Sequence, residues 1–303
     1  MNSFIGLTKR NLLIYFKDVA AIFFSMLTPV IVFVLYILFL KGTFVDALEG
    51  EAEMLKGLLD AKDLDSIANG LLLAGVMGSS LITVPFCTLT TIINDREKKV
   101  DYDISATPMS RVQIVLSYFT ASALSAFIMT TVIMTAGLII LCCNFNMYLG
   151  VSDVVKLLGI NFLGSVCSTA LFMLIVIFIK KSSTSTAFFG LLSAASGFVI
   201  GAYIPLHQFS EKIQTICNVF PQTGITSLIR NVLLNGVLNH IDGDLNGIDD
   251  GMFVKAVRES FSLSMRLFEN DCSASNTLIY VTMFTVVVLV ALGVIYPKVY
   301  KRR

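Results

Sequence analysis

The sequence predicts an all-α integral membrane protein with six transmembrane helices. Of its 303 residues 55% are apolar and only 14% charged, with a mean hydropathy of +0.81, whereas a soluble domain carries about one-quarter charged residues. Six apolar runs approach the roughly 20 residues that a helix needs to cross a hydrocarbon core about 30 Å thick. Unpaired backbone groups cost several kcal/mol each in lipid, so the runs must be helices or a closed barrel, and uniform apolarity without alternation argues against the barrel.

The runs lie at 19–40, 70–93, 112–141, 157–179, 184–204 and 276–296 of a single transmembrane domain, 1–303. Ahead of the first, residues 1–18 set Phe4, Ile5, Leu7, Leu12, Leu13, Tyr15 and Phe16 among Lys9, Arg10 and Lys17. That composition suits an interfacial helix on the membrane surface, or an ordinary basic flank. The first run is too long for a signal-peptide core and no A-x-A site follows Leu40, so it reads as a retained anchor. Pro29, Pro85 and Gly197 are candidate bends.

Orientation follows from the basic residues. Lys9, Arg10 and Lys17, then Arg96, Lys98, Lys99 and Arg111, then Lys180 and Lys181, then Lys298, Lys301, Arg302 and Arg303 fall on one side, against Lys41, Lys56, Lys62 and Lys156 in the short opposite loops. The positive-inside rule then places both termini in the cytoplasm, with the chain in the cell membrane.

Two segments are not simply lipid-soluble. Residues 94–111, NDREKKVDYDISATPMSR, form the densest mixed-charge patch. They read as a solvated turn, or as a short helix starting at Asp95 and closed by Thr107-Pro108 that presents Asp95, Arg96, Glu97, Lys98 and Arg111 to a soluble partner. In 205–275, the apolar pieces 213–220 and 225–234 are too short to cross and Pro221 separates them. They read as re-entrant half-helices or as surface helices, with Arg230 facing water, a headgroup or a partner.

The same region holds Asp242, Asp244, Asn246 and Gly247, the opening of a calcium loop, but Phe253 occupies the position that needs a bidentate Glu. A polar turn is the better reading, with Asp249 or Asp250 capping a helix to about Phe268. Cys217 and Cys272 share this region, and nothing in the sequence fixes their distance. Thr83, Thr88, Thr90 and Thr91 in the second run, with Ser193 and Ser196 in the fifth, either line a path or bond across packed helices.

Several chemistries are excluded. No P-loop motif is present, no run carries an ionisable residue near its midpoint, and the two histidines, His207 and His240, are too few for a metal-dependent membrane hydrolase. The net charge of +1 gives no reason for a nucleic-acid partner.

Four stretches, in this order, carry a resemblance: TKRNLLIYFKD before the first run, followed by Pro29; DREKKVDYDISATPMSR after the second; GAYIP closing the fifth; and FSEKIQTICNVFPQTGITSLIRNVLL behind it. Together the chain resembles the type-2 permease family of ATP-binding cassette (ABC) exporters over nearly its whole length. The resemblance implies a type V exporter fold. Residues 1–18 would be its interfacial connecting helix, and the 94–111 segment, including Pro108, a cytoplasmic coupling helix docked on a separate ATPase subunit. A second permease copy would complete a path between the second and fifth spans, and extracellular half-helices with Pro205, Pro221 and Arg230 would form an outer lid. It implies no cofactor, catalytic residue or metal in this chain, since ATP and magnesium belong to the partner, and a hydrophobic or amphipathic substrate moved outward. Lys99-Val100-Asp101 replaces a stretch that often contains glycine in the family. Rival readings are a sensor or immunity protein binding an extracellular ligand through 206–275, an ATP-independent scramblase or channel, and a membrane-embedded lipid enzyme, for which no nucleophile cluster is evident.

Overall fold

The computed structural model describes residues 2–51, 61–245, 249–267 and 270–299. Lys56, Asn246, Gly247, Phe268, Lys301, Arg302 and Arg303 of the sequence readings lie outside the described residues.

Helix α1 (Asn2–Lys17) packs Leu7, Thr8, Asn11 and Tyr15 inward, mainly against α6. Ile5, Leu13 and Ile14 face outward. Asp18 turns the chain by accepting a hydrogen bond from the Ala21 amide, which caps α2 (Val19–Leu35). A π-helical turn, Tyr36–Leu40, leads into α3 (Lys41–Glu51).

The centre is α4 (Ala61–Glu97), a helix of 37 residues, about 55 Å long at 1.5 Å per residue. Its membrane-crossing stretch is wholly buried within the chain, enclosed by α2, α6 (Arg111–Asn144), α7 (Val151–Val176), α8 (Ser182–Val199) and α10 (Pro221–Leu245). The short α5 (Val100–Ala106) joins α4 to α6. The remaining elements are α9 (Glu211–Val219), α11 (Met252–Ser260), an antiparallel β-hairpin (β1, Met265–Leu267; β2, Asn270–Cys272) and α12 (Ala274–Val299), which packs on α7 and α10.

Five described helices are long and apolar enough to cross a membrane: Val19–Phe39, Lys62–Glu97, Arg111–Asn144, Val151–Val176 and Ala274–Ile295. The run expected at 184–204 corresponds to α8, which has 18 residues, begins Ser-Ser-Thr-Ser-Thr and is not among them. It stops where Gly201 takes a left-handed φ of +66°, a conformation that glycine adopts without steric cost.

The region before the last span departs from expectation in three ways. The expected piece at 225–234 is the middle of one continuous helix of 25 residues, because Pro221 at its first turn starts a helix rather than ending one. Asp242 and Asp244 therefore lie in helix rather than opening a calcium loop. The helix behind Asp249 is capped as expected, since its carboxylate accepts from the Gly251 and Phe253 amides. That helix ends at Ser260 rather than near 268, because Ser262 turns left-handed (φ 53°) and the chain enters the hairpin. Cys217 is a free, buried thiol.

Hydroxyls and amides tie the helices together. Thr88 and Ser122 each donate to the other's carbonyl oxygen across α4 and α6, at 3.2 and 3.3 Å. Thr28 and Ser193 join α2 to α8 at 2.6 Å, and Asn161 donates to Thr131 at 3.0 Å. A close approach also fixes α10: a Cβ at Gly236 would lie 2.5 Å from the Tyr148 carbonyl oxygen and 2.9 Å from that of Met147. Gly236→Ala is accordingly expected to cost about 1–3 kcal/mol, read as a lower thermal midpoint of the detergent-purified protein. Gly243→Ala on the same helix, where a Cβ meets nothing within 4 Å, should leave the midpoint unchanged or raise it slightly.

Candidate functional site

The charged segment lies where α4 ends. No glycine or proline interrupts α4 there, so Asp95, Arg96 and Glu97 form its last turn, and the helix breaks only at Lys99, whose φ of 61° is left-handed. The chain then winds into α5, whose first turn carries Asp101 and Asp103, favourably placed for the positive end of the helix dipole. Thr107, held extended by Pro108, stops it. Ser110 then caps α6 in a reciprocal capping box with Gln113. The short helix thus starts at Val100 and not at Asp95, which corrects the sequence reading.

Asp95, Arg96 and Glu97 each bond to a neighbouring helix or helix end. Asp95 is buried and accepts two hydrogen bonds from the Arg10 guanidinium, at 2.7 and 2.9 Å, and one from the Tyr118 hydroxyl. This fastens α1 and α6 to α4, and the Asp95 carboxylate raises the pKa of Arg10 further above its ordinary value. Arg96 donates to the carbonyl oxygens of Val176 and Ile177, at 3.1 and 2.9 Å, where α7 ends. Glu97 accepts from the Ser182 amide at 3.0 Å and from its hydroxyl, where α8 begins. Three consecutive side chains thus hold four other helices at one level of the bundle.

The outward-facing surface lies just beyond. Tyr102 is 60% exposed, and Lys98, Asp103, Ala106 and Pro108 are exposed with it. Ile104 and Met109 pack back onto the buried cluster that contains Ile92, Ile93, Ile114 and Ile177. Arg111, the first residue of α6, is half-buried. The result is a small knob, apolar beneath and mixed in charge above, seated on the end of the central helix. Basic residues at Arg10, Lys98, Lys99, Lys180 and Lys181 gather at this same end, because the contacts of Asp95, Arg96 and Glu97 bring α1, α7 and α8 there. Beside it an open apolar groove of about 900 Å³ runs between α7, α8 and α12, lined by Leu174, Phe178, Phe188 and Ile295 with Lys180 and Lys181 at its rim.

The hydroxyls that the sequence offered for lining a path or bonding across packed helices lie in α4 and α8. Thr83, Thr88 and Thr91 are buried in α4, where Thr83 and Thr88 donate to carbonyl oxygens of their own helix. Ser196 is buried and donates to the Ser193 carbonyl oxygen, while the Ser193 hydroxyl pairs with Thr28. Thr88 and Ser193 also bond across to neighbouring helices.

At the opposite end, Pro205 precedes a single 3-10 turn, Leu206–Gln208, and Pro221 begins α10. Arg230, expected to face water, a headgroup or a partner, instead turns into the chain itself. It is buried and donates to the carbonyl oxygens of Ile200 (3.0 Å), Gly201 (2.7 Å) and Phe261 (3.3 Å), which ties the end of α8 and the end of α11 to α10. Sequence reasoning missed the outward apolar face of α9, where Ile213, Ile216 and Val219 are exposed. Their i, i+3, i+6 spacing was the available signal.

A family model described as an ABC-2 family transporter protein matches residues 47–296. No curated protein matches the chain.

Charge reversal at Asp95, Arg96 or Glu97 breaks internal attachments and so does not isolate a docking role. Asp95→Asn is expected to cost about 1–3 kcal/mol, the range for a buried hydrogen-bonding group left incompletely satisfied. Hydrogen–deuterium exchange should show faster exchange across α1, with protection in α10 and α12 unchanged. Unaltered exchange in α1 would remove Asp95 as its anchor.

Proposed function

Because the chain belongs to the ABC-2 transporter family, a family of membrane transport components, we propose that it is the permease subunit of an ABC exporter, powered by a separate ATPase subunit that docks on the α5 knob. The observation that carries this reading is the rooting of the knob. An exposed, mixed-charge surface stands on the end of the buried central helix, and the three residues at its base grip α1, α6, α7 and α8. A push or pull on α5 reaches those helices together through short, polar attachments.

In this reading α8 supplies the sixth crossing, both termini face the cytoplasm of the cell membrane, and a second permease copy completes the transport path. ATP and magnesium act on the partner, so this chain needs no catalytic site of its own. The energy-transducing step is mechanical: closure of two ATPase subunits draws the knobs together and tilts the helices behind them, moving substrate outward. A hydrophobic or amphipathic substrate suits the apolar groove beside the knob, whose volume lies in the range of small-molecule sites. Pro205, Pro221 and Arg230 belong to the opposite end, where the buried Arg230 would keep the outer cover a rigid part of the bundle.

Tyr102 and Asp103 are the residues whose replacement separates docking from folding. Tyr102→Ala with Asp103→Lys alters exposed side chains only, so the thermal midpoint should hold, since such surface changes stay within about 0.5 kcal/mol. Affinity purification of the wild-type chain from its own cells should recover a P-loop ATPase. The double variant should recover about tenfold less of it, as expected for losing about 1.4 kcal/mol. Equal recovery by both would overturn the docking assignment.

A further inference from the structure

At the end of the bundle away from the knob, a cluster of side chains has no part in coupling. Asp63 stands in the first turn of α4, and His240 and Asp244 stand one turn apart near the end of α10. His240 Nδ1 lies 3.3 Å from an Asp244 carboxylate oxygen and 3.7 Å from one of Asp63. One ligand atom from each of the three residues falls within 4.8 Å of the other two.

Two further features separate this cluster from a chance meeting of charges. His240 Nδ1 is buried, yet among the described residues it has no hydrogen-bond partner. Two carboxylates flank it and neither accepts a hydrogen bond from it. The imidazole plane is also held in place: the Tyr148 ring stacks on it with centroids 4.2 Å apart and planes 14° from parallel. Tyr148 itself takes a left-handed φ of 48°, an uncommon conformation for a bulky residue.

A tetrahedral ion with bonds of about 2.0–2.2 Å keeps its ligand atoms roughly 3.3–3.6 Å apart, close to the two separations from His240 Nδ1, while the two carboxylates lie within 4.8 Å of one another. One imidazole nitrogen with two carboxylate oxygens suits zinc and its first-row neighbours, whereas magnesium and calcium take oxygen donors alone. The Asp63 side chain is 7% exposed and that of Asp244 62%, so the site is closed on the α4 side and open to water on the other. The competing arrangement of the same atoms is an imidazolium, 35% exposed, within ion-pair distance of both carboxylates; it would place a proton on Nδ1, which makes no hydrogen bond to either.

We propose that Asp63, His240 and Asp244 bind one divalent metal ion of the zinc class, water completing its coordination, and that this ion fastens the start of α4 to the end of α10. The test uses the full chain in detergent, stripped with EDTA, on a Cys142→Ser, Cys143→Ser background, because those two thiols are exposed and compete for zinc. Zinc is titrated against a chromogenic chelator, and thermal unfolding is followed with and without it. The parent should take up one zinc per chain and melt at a higher temperature with zinc. His240→Ala and Asp244→Asn should each weaken binding by about tenfold or more and abolish the zinc-dependent rise. Asp244 is exposed, so its variant keeps the fold even if His240→Ala does not. Undiminished zinc binding by Asp244→Asn, no zinc uptake by the folded parent, or an equal rise with magnesium would each overturn the proposal. None of these readouts involves the ATPase, so they stand apart from the coupling assignment.

Discussion

The fold depends on what happens to the polar groups of a helix that touches no solvent along its crossing. Helix α4 is enclosed on all sides, so each side-chain hydroxyl and each charge on it has to be satisfied by protein. A buried polar group left without a partner costs roughly 1–3 kcal/mol, and a charge more. The cost selects the neighbours. Thr88 is acceptable in the core because the Ser122 carbonyl oxygen lies 3.2 Å away. Asp95 is acceptable because Arg10 and Tyr118 both reach it. The same bonds that satisfy α4 determine where α1, α6 and α7 must sit.

Lipid contributes no hydrophobic force that would drive one apolar helix onto another, so association relies on close packing and on such polar pairs. The distribution of contacts follows. Where α4 passes α7 and α8, Phe86 meets Phe172, Phe188 and Phe189 with ring centroids 5.4–6.3 Å apart, and the joint is made by fit. Where α2 passes α8 it is held by the Thr28 and Ser193 hydroxyls. At the base of the knob, ionic and helix-end bonds take over, because the helices emerge there and their terminal carbonyl and amide groups need partners. Arg96 serves the end of α7 and Glu97 the start of α8. Charge-assisted bonds thus gather at the base of the knob, where helices end.

Much of this was legible in the sequence. Apolar runs near 20 residues long are visible because lipid imposes a minimum length, and the runs at 112–141 and 276–296 match α6 and α12 to within a few residues. Two kinds of residue were opaque. Asp95, Arg96 and Glu97 resemble any solvated charged turn, since their partners are Arg10 and Tyr118, the carbonyl oxygens of Val176 and Ile177, and Ser182, all distant in sequence. Helix α10 was cut short for the same reason. Gln222, Thr223, Thr226, Ser227 and Arg230 lower its apolarity and suggest exposure, yet all five are buried.

Arg230 shows why such a helix escapes a pattern based on lipid. A guanidinium cannot lose its charge near neutral pH, so burying it requires acceptors arranged around it in advance. The carbonyl oxygens of Ile200 and Gly201 are available because α8 ends there, and Gly201 makes that ending possible by turning left-handed. The carbonyl oxygen of Phe261 is available because α11 has just ended. One arginine thus converts two helix ends into a single joint, and sequence alone shows only a cation in an apolar stretch. The same logic operates at both ends of the bundle: Arg96 closes the end of α7 as Arg230 closes those of α8 and α11. Carbonyl groups that a helix cannot satisfy internally hold the buried Arg230 and the half-buried Arg96, and each cation joins the helix ends it bridges.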